Sequence, residues 1–343
     1  MPTRLKDLAK ETGYSVSTIS RALLGYKDVN AETRRRIVKA AQKHDYYPYQ
    51  SARQLRAGKT YIIGFLIPTY GLRFSDPFFI ELLTGIGDGA AAKNYDVLVG
   101  TSPEGEGELE AYKRIIAGGR VDGVVITRTK EDDKRVDYLL KVHTPFVLLG
   151  RVFNKPNVPY IDIDSKNGIK LLTEHLLKLG HRKIGFITSP EELVFSRYRN
   201  EGYREALKKY GIKYDASIVK IGDLTQETGR KLATELFRQK NKPSAVVCAN
   251  DLTALGVYSA AHQVGLEIGS DISISGYDGI SLAENAHPPL TTIQVPIYEV
   301  GIKLFNMLYK LLNNEPLENK QILLPPQPIY RNSTGPPRKA DGH

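Results

Sequence analysis

LKDLAKETGYSVSTISRALLG, residues 5–25, decides how the N-terminal part of this chain folds. Leu5, Leu8 and Ala9 stand at i, i+3 and i+4, the spacing of one apolar helix face. Gly13 follows, the residue that enters the left-handed conformation and ends a helix without steric cost. Ser15 then offers its hydroxyl to the free backbone N–H groups of a second helix. That helix carries Val16, Ile19, Ala22 and Leu23 on one side, and Ser17, Thr18, Ser20 and Arg21 elsewhere. Short hydroxyl side chains with one Arg at a helix start suit base edges and phosphates, because they let the backbone come close. Outward from this pair, Asp28 to Asn30 lead into AETRRRIVKAAQKHDYYP, a third helix with Asn30 as N-cap that closes before Pro48. Ile37, Val38, Ala40 and Ala41 supply its buried face. Residues 1–48 therefore read as an all-α helix-turn-helix headpiece.

Charge is concentrated on the same stretch. Residues 1–60 hold 13 Lys and Arg against 5 Asp and Glu, a net of +8, whereas the whole chain of 343 residues carries +10. So localised an excess points to a polyanionic partner, here double-stranded DNA. The single cysteine, Cys248 in AVVCAN, excludes a disulfide framework and a cysteine metal site, and reads as a buried strand residue. MPTRLKDL has no apolar leader core, and no run of about 18 apolar residues occurs, so a soluble, cytoplasmic protein without membrane contact is expected.

Residues 49–60 form a linker in which Ala52, Gln54, Leu55 and Arg56 could make one or two helical turns, marginal in isolation. Beyond it, apolar strands alternate with amphipathic helices, the signature of parallel α/β sheets. The pattern repeats. YIIGFLIP at 61–68 is echoed by RKIGFITSP at 182–190, VDGVVIT at 121–127 by PSAVVCAN at 243–250, and TPFVLLGR at 144–151 by SDISISGYD at 270–278. Two tandem lobes follow, the first from 61–161 with about 293–320 and the second from 162–292 with about 321–334. A helix is expected near 297–313, and residues 335–343 are expected to be a disordered tail. Clefts at the carboxyl ends of strands in such lobes take small ligands.

No GxSxG, GxxxxGK[ST] or HExxH occurs, and the seven histidines show no ligand-like spacing. Gly85, Gly87 and Gly89 lie inside a helical run rather than after a strand, so they read as close helix packing and not as a phosphate loop. No catalytic residue, metal ligand or cofactor is assigned, and an enzyme is not expected. Polar groups at strand ends carry more information. Asp76 stands before Pro77-Phe78-Phe79, Asn250 and Asp251 end the AVVC strand, Asp278 ends the SISGY strand, and Arg197 and Arg199 lie in FSRYRNEGY. Carboxylates, a carboxamide and a guanidinium suit a polyhydroxylated ligand, with aromatic rings stacking on its faces.

The chain resembles the lactose-repressor (LacI/GalR) family of bacterial transcription regulators. LKDLAKETGYSVSTISRALLG, VNAETRRRI and Tyr47-Pro48 through SARQLRAGKT resemble that family's headpiece and hinge. DPFF, GHRKIGFI, RNEGY, ANDLTALG, ISGYDG and PPLTTIQVP resemble its effector-binding core, in matching order. The resemblance implies an α/β core of two doubly wound parallel sheets, like a periplasmic binding protein. It also implies a homodimer or dimer of dimers on a pseudo-palindromic operator, with a small effector, a sugar by class, between the lobes. By position, Val16, Ser17 and Arg21 match the base-reading residues, and Ser15, Thr18, Ser20, Asn30 and Thr33 the phosphate-contacting ones. Leu55 matches the hinge leucine that wedges into the minor groove. Arg199, Asn250 and Asp278 match effector-contacting positions, and Asp76, Phe78 and Arg151 match the ligand-facing loops. Leu24 stands where the family often has Asn, there is no Trp, and Gly150 replaces an acidic residue of some sugar-responsive members. RFSDPFFIELLTG with LGYKDVNAETRRR is most similar to members responding to α-glucosides and related oligosaccharides. A purine or nucleoside effector and a sugar-transport protein are the alternatives.

Overall fold

The computed structural model describes residues 4–23, 25–26, 28–44, 46, 58–69, 76–103 and 105–338. Leu24 and the hinge with Leu55 lie outside the described residues. The chain divides into two units, Met1–Tyr61 and Ile62–His343.

In the first unit, α1 (Leu5–Thr12), α2 (Val16–Leu23) and α3 (Ala31–Lys43) surround a small core of Leu8, Ile19, Ala22, Ile37, Ala41 and Tyr46. Four of the helix boundaries have a local cause. Asp7 accepts from the Arg4 N–H at 2.8 Å, and Gly13 ends α1 at φ 76°. Ser15 Oγ accepts from the Thr18 N–H at 3.1 Å, and Asn30 Oδ1 from the Thr33 N–H at 2.7 Å. The apolar pattern holds with one departure: Val16 leaves the buried face and is 39% exposed.

In the second unit, the first sheet has strands β1 (Ile62–Thr69), β2 (Asp96–Pro103), β3 (Gly123–Ile126), β4 (Phe146–Leu149), β5 (Tyr160–Ile163) and β11 (Gln321–Leu324) in the order β11-β5-β4-β3-β1-β2, all parallel. The second has β6 (Ile184–Thr188), β7 (Val219–Ile221), β8 (Ala245–Cys248) and β9 (Ser273–Ser275) in the order β9-β8-β6-β7, again parallel. The repeat seen in the sequence is thus one strand order used twice, β4-β3-β1-β2 and β9-β8-β6-β7. Both faces of each sheet are covered, so strands such as GVVI and AVVC are buried throughout, Cys248 included.

Helices α4 (Pro77–Ala91), α5 (Glu106–Ala117), α6 (Lys134–Lys141) and α12 (Ile297–Leu312) flank the first sheet. Helices α7 (Ser165–Lys178), α8 (Val194–Lys209), α9 (Gln226–Phe237) and α10 (Asp251–Gln263) flank the second. The short α11 (Ser281–Glu284) and the antiparallel pair β10 (Thr292–Gln294) and β12 (Gln327–Ile329) complete the unit. Glycine packing is as expected at two of three positions. A Cβ on Gly85 would lie 2.1 Å from the Tyr298 carbonyl oxygen of α12, and one on Gly89 would press on Phe305, whereas Gly87 faces open space.

Two boundaries differ from expectation. The final segment returns to the first lobe before the second: residues 321–324 pair with β5 and extend the first sheet, with Ile322 and Leu324 half-buried and Leu323 exposed. Residues 335–338 are held in place rather than forming a tail. The Gly335 N–H donates to Ser273 Oγ at 3.0 Å, its carbonyl accepts from His181 Nε2 at 2.9 Å, and Arg338 pairs with Asp271 at 2.6 Å. Residues 339–343 lie outside the described residues.

Candidate functional site

On the headpiece, the start of α2 presents Ser15, Val16, Ser17 and Arg21 exposed, with Thr18 and Ser20 half-buried beside them. Ser15 Oγ also meets Ser17 Oγ and Thr18 Oγ1, each at 2.8 Å, so three hydroxyls form one small cluster. Arg21 pairs with Asp28 while its guanidinium lies 5.1 Å from the Tyr26 ring centroid. This fixes the direction of a planar donor fork of the kind that reads guanine edges. Asn30 and Thr33 stand at the start of α3, where the N–H groups and the partial positive charge of a helix terminus suit a phosphate.

In the core, a cleft of about 690 Å³, counting its open part, lies where the carboxyl ends of both sheets face each other. From the first lobe it is lined by Asp76, Phe78, Phe79, Thr127, Arg128 and Asp162. From the second it is lined by Phe195, Arg199, Asn250, Tyr277 and Asp278. Three carboxylates, two guanidiniums and four aromatic rings therefore converge. Asp76 caps α4 through the Phe78 N–H at 3.1 Å, which sets Phe78 and Phe79 edge to face at 5.5 Å.

Arg199 is sandwiched between Phe195 and Tyr277, 4.6 and 4.1 Å from their ring centroids, and donates from Nη1 to the Ala249 carbonyl. Its Nη2 is 4.0 Å from Asp278 Oδ1. Arg199 Nε and Thr127 Oγ1 are buried with no hydrogen-bond partner, so two polar groups at the cleft have bonding capacity to spare. Buried polar groups are nearly always hydrogen-bonded, which makes such atoms markers of a ligand position.

Asp278 reaches the cleft through a strained backbone, with φ at +113°. The strain is imposed from both sides: its N–H donates to the Ile293 carbonyl at 3.0 Å and its carbonyl accepts from the Val295 N–H at 3.0 Å. Behind it, the carboxylate of Asp251 takes the N–H groups of Gly279 and Ile280 and the Thr292 hydroxyl, at 2.7, 2.9 and 2.6 Å. Burial pushes the Asp251 carboxyl up to about 7 against the pull of these donors, and burial likewise pushes Asp278 well up, opposed by Arg199. Asp251 is a strut for the Asp278 turn.

Asp76, Phe78, Arg199, Asn250 and Asp278 therefore come together as the sequence suggested, and two further residues do not. Arg151 stands behind the cleft wall, where its Nε donates to Asp162 Oδ2 at 2.7 Å. Arg197 points outward and pairs with Glu131 at 3.0 Å. Asn250 is already engaged, its Oδ1 capping α10 through the Thr253 N–H and its Nδ2 donating to the Leu224 carbonyl, both at 3.0 Å. One N–H and one lone pair remain for a ligand. Sequence reasoning missed Thr127, Arg128, Asp162, Phe195 and Tyr277. The repeat held a signal for one of them, since Arg128 follows VVIT as Asn250 follows VVCA. Gly150 has φ +110°, and a Cβ there would meet Thr129 Oγ1 at 2.9 Å, so an acidic side chain has no room at this turn.

A helix-turn-helix unit joined to a two-lobed α/β unit with a polar, aromatic-walled cleft defines a ligand-binding transcription regulator. Two family models match, the bacterial regulatory proteins of the lacI family over residues 4–49, and the periplasmic binding proteins and sugar binding domain of the LacI family over residues 60–332. The chain belongs to the LacI family of bacterial regulatory proteins. It is 34% identical over 340 residues to the HTH-type transcriptional regulator AglR of Rhizobium meliloti (strain 1021), covering 98% of this chain and 95% of that one. It is 31% identical over 331 residues to the HTH-type transcriptional repressor CytR of Escherichia coli (strain K12), covering 96% of each. Among solved structures it is similar to the lac repressor dimer bound to operator and the anti-inducer ONPF, with TM-score 0.84, 26% identity and coverage of 98% and 100%. A complex of the transcriptional regulator CelR with cellobiose gives TM-score 0.74, 28% identity and coverage of 96% and 99%.

Proposed function

We propose that this regulator is a repressor of carbohydrate uptake or catabolism genes, acting in the cytoplasm as a dimer or dimer of dimers on a pseudo-palindromic operator. A sugar held between the lobes controls it. The observation that carries the sugar reading is the cleft itself. Asp76, Asp162 and Asp278 accept hydroxyl protons, Arg128 and Arg199 donate, and Phe78, Phe79, Phe195 and Tyr277 offer apolar faces to a ring. The CelR structure, which holds cellobiose, supports the reading. The likeness of RFSDPFFIELLTG and LGYKDVNAETRRR to members responding to α-glucosides favours α-glucosides and related oligosaccharides.

Base edges are read by Val16, Ser17 and Arg21, and the phosphates are met by Ser15, Thr18, Ser20, Asn30 and Thr33. The sugar acts by binding one arrangement of the lobes more tightly than another, and it shifts operator affinity by that difference. A thermal-shift screen of glucose disaccharides, nucleosides and nucleobases, followed by operator titrations with each hit, tests this. Stabilisation by a disaccharide that changes operator affinity supports it. Stabilisation by nucleosides alone replaces the sugar with a nucleoside effector.

A further inference from the structure

Arg151 touches both lobes. It follows β4 in the first lobe and its Nε donates to Asp162, a carboxylate of the cleft wall. The central carbon of its guanidinium lies over the ring of Tyr198, 3.9 Å from the centroid; Tyr198 belongs to α8 of the second lobe. Its Nη2 is buried without a hydrogen-bond partner, so Asp162 and the Tyr198 ring set its orientation between them. Along the same edge the two lobes pair through their backbones: the Val194 N–H donates to the Thr129 carbonyl at 3.0 Å, and the Glu131 N–H to the Glu192 carbonyl at 3.3 Å. The ion pair of Arg197 with Glu131 also crosses here, but both side chains are about half exposed.

We propose that Arg151 and Tyr198 form a clasp between the lobes that favours the closed cleft, and that Arg151 is a positioning residue tying closure to occupancy of Asp162. This rests on the reading of the cleft as a ligand site. The weights follow from exposure. A solvated ion pair such as Arg197–Glu131 shifts an equilibrium by less than about fivefold. A guanidinium withdrawn from water onto a Tyr face shifts it by roughly tenfold or more. Asp162 Oδ1 takes the Ile163 N–H at 2.8 Å and Oδ2 takes Arg151, so the carboxylate is fixed by its own lobe and aims the guanidinium at the other. A hydroxyl donated to Asp162 from the cleft then bears on the group that aims the clasp.

The test is a distance measurement between spin labels on the full-length protein, at Lys141→Cys and Lys208→Cys, exposed positions on α6 and α8; the native Cys248 is fully buried. Distances are recorded without sugar and with maltose or cellobiose as probes, after heat unfolding has checked that each variant folds. Tyr198→Leu should lower the ratio of closed to open cleft roughly tenfold, and Arg151→Lys should do the same because an ammonium does not stack flat on the ring. Tyr198→Phe keeps the ring and should match wild type. With a sugar that binds, Tyr198→Leu should raise the dissociation rate about tenfold and leave the association rate within about threefold. Identical distance distributions for wild type and Tyr198→Leu would overturn the clasp. So would a Tyr198→Phe protein as open as Tyr198→Leu, or a wild type open under every condition. If neither sugar binds, the distances still decide on the clasp and only the sugar reading is in question.

Discussion

Replacing Arg199 with Met keeps most of the volume between Phe195 and Tyr277 and removes the charge. Four interactions go with it: the bond to the Ala249 carbonyl, the two ring faces at 4.6 and 4.1 Å, and the attraction to Asp278 at 4.0 Å. A hydrogen bond from a charged donor contributes about 1.5–3 kcal/mol, and each ring face roughly 0.5–2 kcal/mol. These overlap, so their sum is an upper bound. Removing one partner of a buried pair costs about 3–5 kcal/mol, mainly because the other charge stays behind. Asp278 is that charge, 13% exposed at its side chain, and its carboxyl is already raised by burial.

A carboxyl whose folded-state pKa lies above its unfolded one favours the native state in acid and loses that contribution as pH rises toward the folded value. Without Arg199 the folded value rises further. The deficit of Arg199→Met should thus be smaller at about pH 5 than at about pH 8, with about 3–5 kcal/mol as its upper bound. Adding Asp278→Asn should recover part of the loss at high pH and little at low pH. Urea unfolding at the two pH values, with slopes compared to confirm that the same surface is exposed, measures this. A deficit that does not change with pH, or a double variant no more stable than Arg199→Met at pH 8, would refute the coupling.

The remaining expectations concern other parts of the molecule. Gly202→Ala puts a Cβ 2.0 Å from the Lys166 carbonyl oxygen and should destabilise by about 1–3 kcal/mol in heat unfolding, whereas Gly87→Ala meets nothing and should gain roughly 0.5–1 kcal/mol. Asn250→Ala should do two things at once, losing the α10 cap at about 0.5–2 kcal/mol and weakening the effector response; calorimetric titration beside a melting curve separates them. Operator affinity should fall steeply with added salt, since residues 1–60, with a net charge of +8, displace counterions, and a flat profile would remove the headpiece from the DNA. Substitution of Ser17 or Arg21 should alter the consensus returned by a randomised-site selection, whereas Thr33→Ala should weaken all sites alike.

The headpiece was legible almost residue by residue, because Gly13, Ser15 and Asn30 act through bonds to atoms three or four positions away. The doubled strand order was legible because parallel strands covered on both faces leave unbroken apolar runs. What could not be read was anything that depends on which strand lies beside which. ILL at 322–324 is an edge strand, but no local feature says of which sheet. Arg151 and Arg197 sit in strand-end and helix-start segments like that of Arg199. Only the packing of α8 turns Arg199 into the cleft and Arg197 out of it. Asn250 shows the opposite limit, since capping α10 and lining the cleft fall to the same side chain.

The strand at 321–324 has a consequence for how the protein is made. Synthesis delivers the three headpiece helices first, and their core closes among residues 8–46 without help from anything later. The first sheet, begun at residue 62, must wait for Leu324 before its outer edge is covered, by which time all four strands of the second sheet have been synthesised. On each nascent chain the part that grips DNA is therefore complete long before the part that governs it. A chain cut short near residue 320 leaves an unfinished sheet, not a working lobe minus its tail.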